Sequence, residues 1–360
     1  MRRPLALGIE TSCDDTACAL VDADGRVLAS VVSSQLAAHR PYGGVVPEIA
    51  SREHLHNWPA VRSEAFSRAG VAFADVDLVA ATSGPGLVGA LLVGLSFGQA
   101  TAWALGRPFH AVHHLEAHLF SPFLRLEGEP AETLPKRFVG LIVSGGHTSL
   151  YEVDEGSVRL LAETRDDAIG EAFDKLGKRL GLPYPQGPRV DALAELGDAA
   201  AAPLSVASPG SGELFFSYSG LKTQALVALG KLADRGVAVD ARLDEEPPLP
   251  PPVLDLLAGF RAAAIGQLLS RLERLHRRQP IPLLAVSGGV AANRLLRREL
   301  PGWCERHGVA LRLVPLPFSG DNAAMIAHAA QRRHAVGLAD DPLTAIAASR
   351  RPILGLEASR

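Results

Sequence analysis

The sequence predicts an α/β protein built as two lobes, and three observations point to it. The chain has 360 residues, which exceeds the length at which a single hydrophobic core usually keeps growing. A strand, polar turn and second strand near the N-terminus recur later with a constant shift of 132 residues, so that Gly8 aligns with Gly140 and Thr16 with Thr148. Segments with helical patterning follow each unit, and we expect a ligand cleft between the lobes.

The repeated unit is visible in the apolar patterning. Leu5–Ile9 is an apolar run, "ETSCDDT" is a polar turn, and a second apolar run covers Ala17–Val21. The turn "DADG" then predicts a hairpin into a third strand at Val27–Val32. "RFVGLIVSGGHTSLYEVD", which starts at Arg137, repeats this strand–turn–strand order.

These patterns predict the domain boundaries. The first lobe is expected to cover residues 1–130 and to be completed by a C-terminal helical segment at 323–345. The second lobe is expected to cover 131–322, with an irregular insertion at about 198–252 that ends in "EEPPLPPP". Prolines lack a backbone donor and resist regular structure, so this tract predicts a surface loop.

Composition excludes several classes of protein. A hydrophobic content of 47% argues against disorder, and a formal net charge of −3 argues against a strongly basic nucleic-acid binder. Three cysteines without a CxxC pair argue against a disulfide framework. The apolar run at the N-terminus is shorter than that of a signal peptide. We therefore expect a cytoplasmic protein. Residues 82–106 contain no charged residue and are long enough to span a bilayer, but they include six glycines. This composition predicts a Gly-Pro-Gly turn and a wholly buried helix rather than a membrane span.

The segment "HHLEAH" at 113–118 raises the question of a metal site. His114 and His118 are spaced i,i+4, which places both on one helical face, whereas Glu116 points away from that face. This spacing differs from the HExxH pattern of zinc proteases and favours a metal site without a peptidase base. Asp321, in "FSGDNAAM", is the best candidate for a third ligand. The alternatives are two surface histidines and a helix-capping aspartate.

Glycine-rich turns point to an anionic ligand. "VSGGHTS" (143–149) and "VSGGVAANR" (286–294) both follow strands, and paired glycines let backbone N–H groups approach a phosphate. Asn293 lies one helical turn beyond the second pair, where it can bond a base or sugar. Asp174 and Asp191 can bind ribose hydroxyls near a tight turn at Gly187, although capping and surface pairing are alternatives. A nucleotide or adenylate is therefore expected, without a Walker motif.

Long motifs in a fixed order resemble one known family. They include "LGIETSCDDT", "YGGVVPEIASREH", "SGPGLVGALLVG", "HHLEAH", "LIVSGGHTSL", "DDAIGEAFDKLGKRLGL", "FSYSGLKT", "AVSGGVAANR" and "DNAAMIA". The chain resembles, over about residues 5–330, the bacterial tRNA N6-adenosine threonylcarbamoyltransferases, once called O-sialoglycoprotein endopeptidases. Their archaeal and eukaryotic relatives are the catalytic subunit of the KEOPS complex.

The resemblance implies a fold, a reaction and partners. The fold is the actin-like ATPase/sugar-kinase (ASKHA) fold, with two lobes each built on a ribonuclease-H-like sheet. The reaction transfers a threonylcarbamoyl group from threonylcarbamoyl-AMP to N6 of adenosine 37 in tRNAs that read ANN codons (t6A formation). The partners are tRNA, a paralogous subunit of the same fold and a small P-loop ATPase, with no membrane involved.

The resemblance also implies site residues. One divalent metal, Fe²⁺ in preference to Zn²⁺, would be held by His114, His118 and Asp321. The residues implied in binding the intermediate are Ile142, Val143, Ser144, Gly145, Gly146, Asp174, Gly187, Asp191 and Asn293. We also expect Asp14 to help remove the amine proton.

Four departures from the family pattern, and three alternative functions, are kept open. Asp15 stands where many relatives have glutamate, and Gln186 replaces a glycine beside Gly187. Val286-Ser287 stand where relatives have Met-Ala before the second glycine pair, and the proline tract looks inserted. The alternatives are a small-molecule phosphotransferase of the same fold, a metallopeptidase, and a non-catalytic scaffold. The scaffold is disfavoured because inactive relatives would be expected to lose the two histidines.

Overall fold

The structure is a computed structural model that describes residues 4–131, 133–155, 157–206, 213–244, 246–351 and 353. The chain divides into two compact units. The first contains the chain up to Lys136, the stretch Val153–Val158 and the chain from Val314 onward. The second contains Arg137–Glu152 and Arg159–Leu313.

The first unit is organised around a five-stranded sheet with strand order β3-β2-β1-β4-β5. The strands are β1 (Leu5–Glu10), β2 (Asp15–Asp22), β3 (Val27–Ser34), β4 (Leu78–Gly84) and β5 (Phe109–His113). β1, β2 and β3 pair antiparallel, whereas β4 and β5 extend the sheet in parallel from β1. β1 and β4 are buried at every position, as expected for strands covered on both faces.

Helices cover this sheet, and one of them approaches β1 very closely. The helices are α1 (Leu36–His39), α2 (Pro47–Ala69), α3 (Val88–Leu105), α4 (His114–Phe120) and, from the C-terminal part of the chain, α10 (Ala323–Ala335). A Cβ atom on Gly8 would lie 2.1 Å from the backbone oxygen of Ala323 and 2.9 Å from the nitrogen of Ala327. Glycine is therefore required for α10 to pack on β1, and this packing places the loop before α10 beside the end of the sheet.

The second unit repeats the strand order of the first. The strands of its sheet are β6 (Arg137–Val143), β7 (Thr148–Asp154), β8 (Ser157–Glu163), β9 (Leu283–Ser287) and β10 (Ala310–Leu313). The end of β7 and the start of β8 fall within Val153–Val158, which is assigned to the first unit. Written as β8-β7-β6-β9-β10, their order matches that of the first sheet strand for strand. The duplicated strand–turn–strand unit predicted from sequence is therefore confirmed at the level of topology.

The helices of the second unit are α5 (Ile169–Arg179), α6 (Gln186–Leu193), α7 (Ser219–Asp234), α8 (Pro251–Arg278) and α9 (Arg294–His307). The prediction of an irregular segment at 198–252 is wrong over α7. Leu221, Ala225 and Leu229 are spaced four residues apart and buried on one face, and this periodicity stabilises a helix despite the glycine and serine before it. Residues 207–212 of the segment lie outside the described part of the chain.

Two further element predictions need correction. The helix expected over 323–345 ends at Ala335, because Gly337, directly after the C-cap Val336, takes a left-handed conformation with φ of 78°. α3 is not wholly buried, because it packs through one face only. Val88, Leu92 and Trp103 lie on its exposed side, and Trp103 is 72% exposed.

Two helices are long and apolar enough to cross a bilayer by length and composition alone. They are α3 and α8. Of the 18-residue apolar window in each helix, 33% is buried in α3 and 72% in α8. The buried core helix of a soluble protein passes the same test, so these helices are weak evidence for a membrane.

Candidate metal centre and ligand pocket

The two histidines of "HHLEAH" meet Asp321 in the first unit. α4 starts at His114 directly after β5, so His114 and His118 lie one turn apart, with ring centroids separated by 4.7 Å. Oδ1 of Asp321 lies 3.5 Å from Nε2 of His114 and 3.2 Å from Nε2 of His118. Ligand atoms around a tetrahedral ion with bonds of roughly 2.1 Å lie about 3.4 Å apart. These three side chains therefore fit one divalent metal ion.

A buried carboxylate orients the first histidine. Oε2 of Glu10, at the end of β1, lies 3.1 Å from Nδ1 of His114. The hydroxyl of Thr82 and the backbone N–H of Ser12 also donate to Glu10, which is fully buried. Because the carboxylate holds Nδ1–H, Nε2 of His114 is left to face Asp321. Sequence reasoning missed Glu10, because it reads as the first residue of the polar turn after β1.

Charges within the cluster shift its protonation. Burial opposes a charge on His114, but Asp321 and Glu10 outweigh it and raise the pKa of His114 well above its usual value. Burial lowers the pKa of His118. For Asp321 burial again opposes the charge, yet His114 and His118 hold its pKa well below the ordinary value. The Asp321 side chain is 31% exposed, so the cluster is accessible from one side.

Glu116 takes no part in the cluster. It is buried, and it accepts a hydrogen bond from Nη1 of Arg333 at 3.4 Å. Burial raises the pKa of Glu116 to about 7. The predicted orientation of Glu116 away from the two histidines is confirmed, which removes the carboxylate that a metallopeptidase would need beside its metal.

Asp14 lies in the turn between β1 and β2, which also carries Ser12. The Ser12 hydroxyl lies 3.3 Å from Nδ1 of His114, so this turn borders the metal cluster. The backbone oxygen of Asp14 accepts a hydrogen bond from the backbone of Gln35 at 2.9 Å, which fixes the turn. Burial, and next the charge of Asp14, raise the pKa of Asp15 to about 7. The role of Asp14 stays a prediction.

The predicted ligand-binding residues gather in the second unit, around a cavity of about 390 Å³. Five of them line it: Gly145, Asp174, Gly187, Asp191 and Asn293. The others lie behind or beside the lining. Ile142 and Val143 have buried side chains within β6, and Ser144 and Gly146 flank Gly145 in the turn that follows.

Close backbone packing shapes this cavity. A Cβ atom on Gly288, whose φ is 92°, would lie 2.3 Å from the backbone oxygen of Val143, and one on Gly170 would lie 2.6 Å from that of Ser144. The N–H of Gly170 also donates to Ser144 at 3.2 Å. The glycines thus let the turns after β6 and β9 and the start of α5 pack together.

Asp174 and Gly187 are directly bonded. The backbone N–H of Gly187 donates to Oδ1 of Asp174 at 2.7 Å, which ties α6 to α5. Gln186 does not line the cavity. Its side chain is buried against Gly177, and Nε2 donates to the backbone of Leu182 at 3.4 Å. The glutamine therefore leaves the backbone approach at Gly187 in place.

Asp191 is the centre of a buried network. The side-chain amide of Asn293 donates to Oδ1 at 2.7 Å, and the backbone N–H of Arg294 donates to Oδ2 at 3.1 Å. Nη1 of Arg261 also donates to Oδ1 at 3.1 Å. Asn293 caps α9 as well, because its Oδ1 accepts from the N–H of Leu296. Sequence reasoning missed Arg261, a buried charge within the apolar face of α8.

Comparisons with known proteins identify the family of this chain and support its fold. The model of the TsaD family, tRNA N6-adenosine threonylcarbamoyltransferase, matches residues 26–328. The enzyme of that name from Sorangium cellulosum is 47% identical over 345 residues, covering 93% of each chain. One from Thermus thermophilus is 45% identical over 354 residues, covering 98% of this chain and 99% of the relative.

Solved structures support the fold alone. HypF from T. kodakarensis superposes with a TM-score of 0.57 at 15% identity, covering 91% of this chain and 47% of that one. Together with the two sheets of matching strand order, this likeness shows the actin-like ATPase/sugar-kinase fold that the sequence predicted. The match of the family model and the identity to curated relatives go further: this chain belongs to the tRNA N6-adenosine threonylcarbamoyltransferase family.

Proposed function

We propose that this chain transfers the threonylcarbamoyl group from threonylcarbamoyl-AMP to N6 of adenosine 37 in tRNAs that read ANN codons. Besides family membership, one observation carries the proposal. Five residues that the family motifs single out, far apart in sequence, line one cavity of about 390 Å³ in the second unit. That volume suits a ligand of nucleotide size.

The chemistry of the cavity matches an acyl-adenylate. Glycines at 145 and 289 expose backbone near the space, where N–H groups can bind the phosphate. Oδ1 of Asp174 holds the backbone N–H of Gly187, and as an acceptor lining the cavity this carboxylate can also bind a ribose hydroxyl. Asp191 is fixed by Arg261 and Asn293, so it offers the ligand an acceptor that does not need to reorganise.

In the first unit, His114, His118 and Asp321 would hold the metal ion, and Glu10 would orient His114. Imidazole and carboxylate donors suit iron or zinc, and we expect Fe²⁺ in preference to Zn²⁺. When bound, the ion would supply Lewis-acid chemistry. The partly exposed Asp321 leaves an approach to it.

The transfer itself is an acyl substitution. The N6 amine of adenosine attacks the carbamoyl carbon, the new C–N bond forms, and the bond from that carbon to the phosphate oxygen breaks. AMP leaves with the electron pair of that bond. The N6 proton passes to a base, for which we propose Asp14. Because the donor is already an activated mixed anhydride, the protein contributes mainly by positioning the reactants and excluding water.

The partners follow from the same proposal. The acceptor is tRNA, and a separate enzyme must make the adenylate. We expect a paralogous subunit of the same fold and a small P-loop ATPase to assist, and the reaction to take place in the cytoplasm.

Two other functions are disfavoured. A metallopeptidase needs a carboxylate beside the metal, but Glu116 is bonded to Arg333 instead. A small-molecule phosphotransferase of this fold would not require the cluster of His114, His118 and Asp321. It would also not require the buried carboxylate of Glu10, which orients His114 toward that cluster.

The test is a reaction of the protein, with its assisting proteins, on synthetic threonylcarbamoyl-AMP and unmodified tRNA. Digestion to nucleosides and mass spectrometry measure threonylcarbamoyladenosine. We expect formation with the wild type and loss of at least tenfold in Asp191→Asn. As a matched control, Asp234→Asn on the exposed end of α7 should react like the wild type. ATP-dependent phosphorylation of a small molecule, without tRNA modification, would contradict the proposal.

A further inference from the structure

A chain of hydrogen-bonded side chains is buried in the first unit and contains none of the predicted metal ligands. Its members are Gln35, His39 and His54, all of which are buried. His39 ends α1, and His54 lies in α2 as the last residue of the motif "YGGVVPEIASREH". The metal cluster and the ligand cavity leave this motif without a role.

The outer end of the chain determines which atoms carry the protons. The backbone N–H of Val46 donates to Nδ1 of His39 at 3.3 Å, so this nitrogen is an acceptor. Nε2 of His39 therefore carries the proton and donates to Oε1 of Gln35 at 3.1 Å. The same orientation of the Gln35 amide lets its Nε2 donate to the backbone oxygen of Ala50 at 3.3 Å.

The inner end of the chain is fixed in the same way. Nε2 of His54 lies 3.1 Å from the backbone oxygen of Cys13, and a carbonyl can only accept, so this nitrogen carries a proton. Burial lowers the pKa of His54, so the ring is neutral at pH 7 and its Nδ1 is an acceptor. Nε2 of Gln35 donates to this Nδ1 at 3.0 Å, and the hydroxyl of Thr16 lies 2.8 Å from it. The bonds therefore run in one direction, from the loop before α2 to the turn between β1 and β2.

The two peptide groups that flank Asp14 are both held by this chain. The carbonyl before Asp14 belongs to Cys13 and accepts from His54. The carbonyl of Asp14 itself accepts from the backbone N–H of Gln35 at 2.9 Å. Holding both peptide planes restricts rotation about the two backbone bonds of Asp14, and this fixes where its side chain starts. A displacement of about 1 Å can cost a reacting group about 100-fold in rate, so such a restraint matters for a base.

We propose that His54 is a positioning residue for Asp14 in the transfer reaction and that it acts through the carbonyl of Cys13. Gln35 and His39 hold His54 in the tautomer that this bond needs. The proposal rests on the proposed function, in which Asp14 takes the N6 proton, and extends it to a residue that is neither a predicted metal ligand nor part of the cavity lining.

The test compares two substitutions that each keep one side of the ring's hydrogen bonding. His54→Gln places an amide nitrogen near the position of Nε2 and can still donate to Cys13, but it loses the acceptor for Gln35. His54→Asn places an oxygen near the position of Nδ1 and can still accept from Gln35, but it loses the bond to Cys13. His56→Asn, at an exposed position of the same helix, is the matched control.

The rate of tRNA modification is measured with the assisting proteins, together with metal content, AMP affinity and urea unfolding. We expect kcat to fall about tenfold or more in His54→Asn, with the KM for tRNA, metal content and AMP affinity unchanged. His54→Gln and His56→Asn should keep kcat within about threefold of the wild type. A purely structural role predicts equal losses in the two His54 variants, because each leaves a buried partner unpaired.

Equal kcat in His54→Asn and His54→Gln, in a wild type that modifies tRNA, would overturn the positioning role and leave the proposed function standing. A wild type that does not modify tRNA would refute the proposed function itself and the positioning role with it. A measurement on the wild type needs no variant to fold: nitrogen-15 NMR of the ring of His54 should show the proton on Nε2. A proton on Nδ1 would overturn the proposal.

Discussion

Oε2 of Glu10 lies 3.1 Å from Nδ1 of His114, and this pair joins the end of β1 to the start of α4. A carboxylate that holds one imidazole nitrogen fixes which nitrogen remains for a metal. Glu10 is therefore a positioning residue for the metal cluster, through His114.

Glu10→Gln should weaken metal binding without removing a ligand. Replacing such an outer carboxylate typically costs about 10–100-fold in metal affinity. Competition with a chelator of known affinity measures this, and Glu48→Gln, on the exposed first turn of α2, is the matched control. An unchanged affinity in Glu10→Gln would show that the tautomer of His114 does not depend on Glu10.

Gly8→Ala should destabilise the first unit and displace the loop of Asp321. The added methyl group would lie 2.1 Å from the backbone of Ala323, and overpacking of this kind costs about 1–3 kcal/mol or more. Urea unfolding measures the loss. Gly230→Ala is the control: it lies in α7 with no atom within 4 Å of the added Cβ, and it should stabilise the protein by about 0.5–1 kcal/mol. Equal stability of both variants would contradict the close packing of α10 on β1.

Arg261→Met should free Asp191 from its anchor. Breaking a buried ion pair by removing one partner costs about 3–5 kcal/mol, and an unanchored Asp191 should bind AMP about tenfold more weakly. Urea unfolding and AMP titration measure the two effects. Arg235→Met, just beyond α7 on the exposed surface, should change neither. Normal AMP affinity in a folded Arg261→Met protein would show that Asp191 needs no anchor.

His110 gives a pH dependence with a definite sign. Burial, followed by the charges of His334 and Arg333, lowers the pKa of His110 to about 3. The unfolded chain binds the proton below about pH 6.5, but the folded chain does not until about pH 3, so stability is lost as the pH falls through this window. At pH 5 the loss from one such group is at most about 2 kcal/mol.

The variant His110→Leu should therefore lose less stability than the wild type between pH 7 and pH 5. Urea unfolding at both values checks this. His56→Leu, at an exposed position of α2, should follow the wild-type curve. Parallel curves for the wild type and His110→Leu would show that His110 is protonated in the folded state.

The strands of the repeated unit and the histidine pair were predictable, because they depend on local patterns. Apolar runs between polar turns mark the strands, and the i,i+4 spacing alone places His114 and His118 on one face. Asp321 was identified only as a candidate, since its loop reaches the histidines through the packing of α10 on β1. That packing depends on a glycine about 315 residues earlier, at position 8.

Other features could not be read from local patterns. Glu10 looked like part of a polar turn, since nothing in the sequence shows that strand β4 and α4 bury it. α7 was missed because its buried spacing of Leu221, Ala225 and Leu229 follows a stretch rich in glycine and serine. The exposed side of α3 was missed because its apolar composition predicts burial on every face, whereas tertiary packing decides which face is covered.

The central claim is that His114, His118 and Asp321 hold one divalent ion. Its most direct test is metal content per chain after purification and reconstitution with Fe²⁺ or Zn²⁺, measured by elemental mass spectrometry in the wild type, Asp321→Ala and the surface control Asp234→Ala. We predict one ion per chain in the wild type and the control, and less than a tenth of that in Asp321→Ala. Full metal content in a folded Asp321→Ala protein would contradict the assignment.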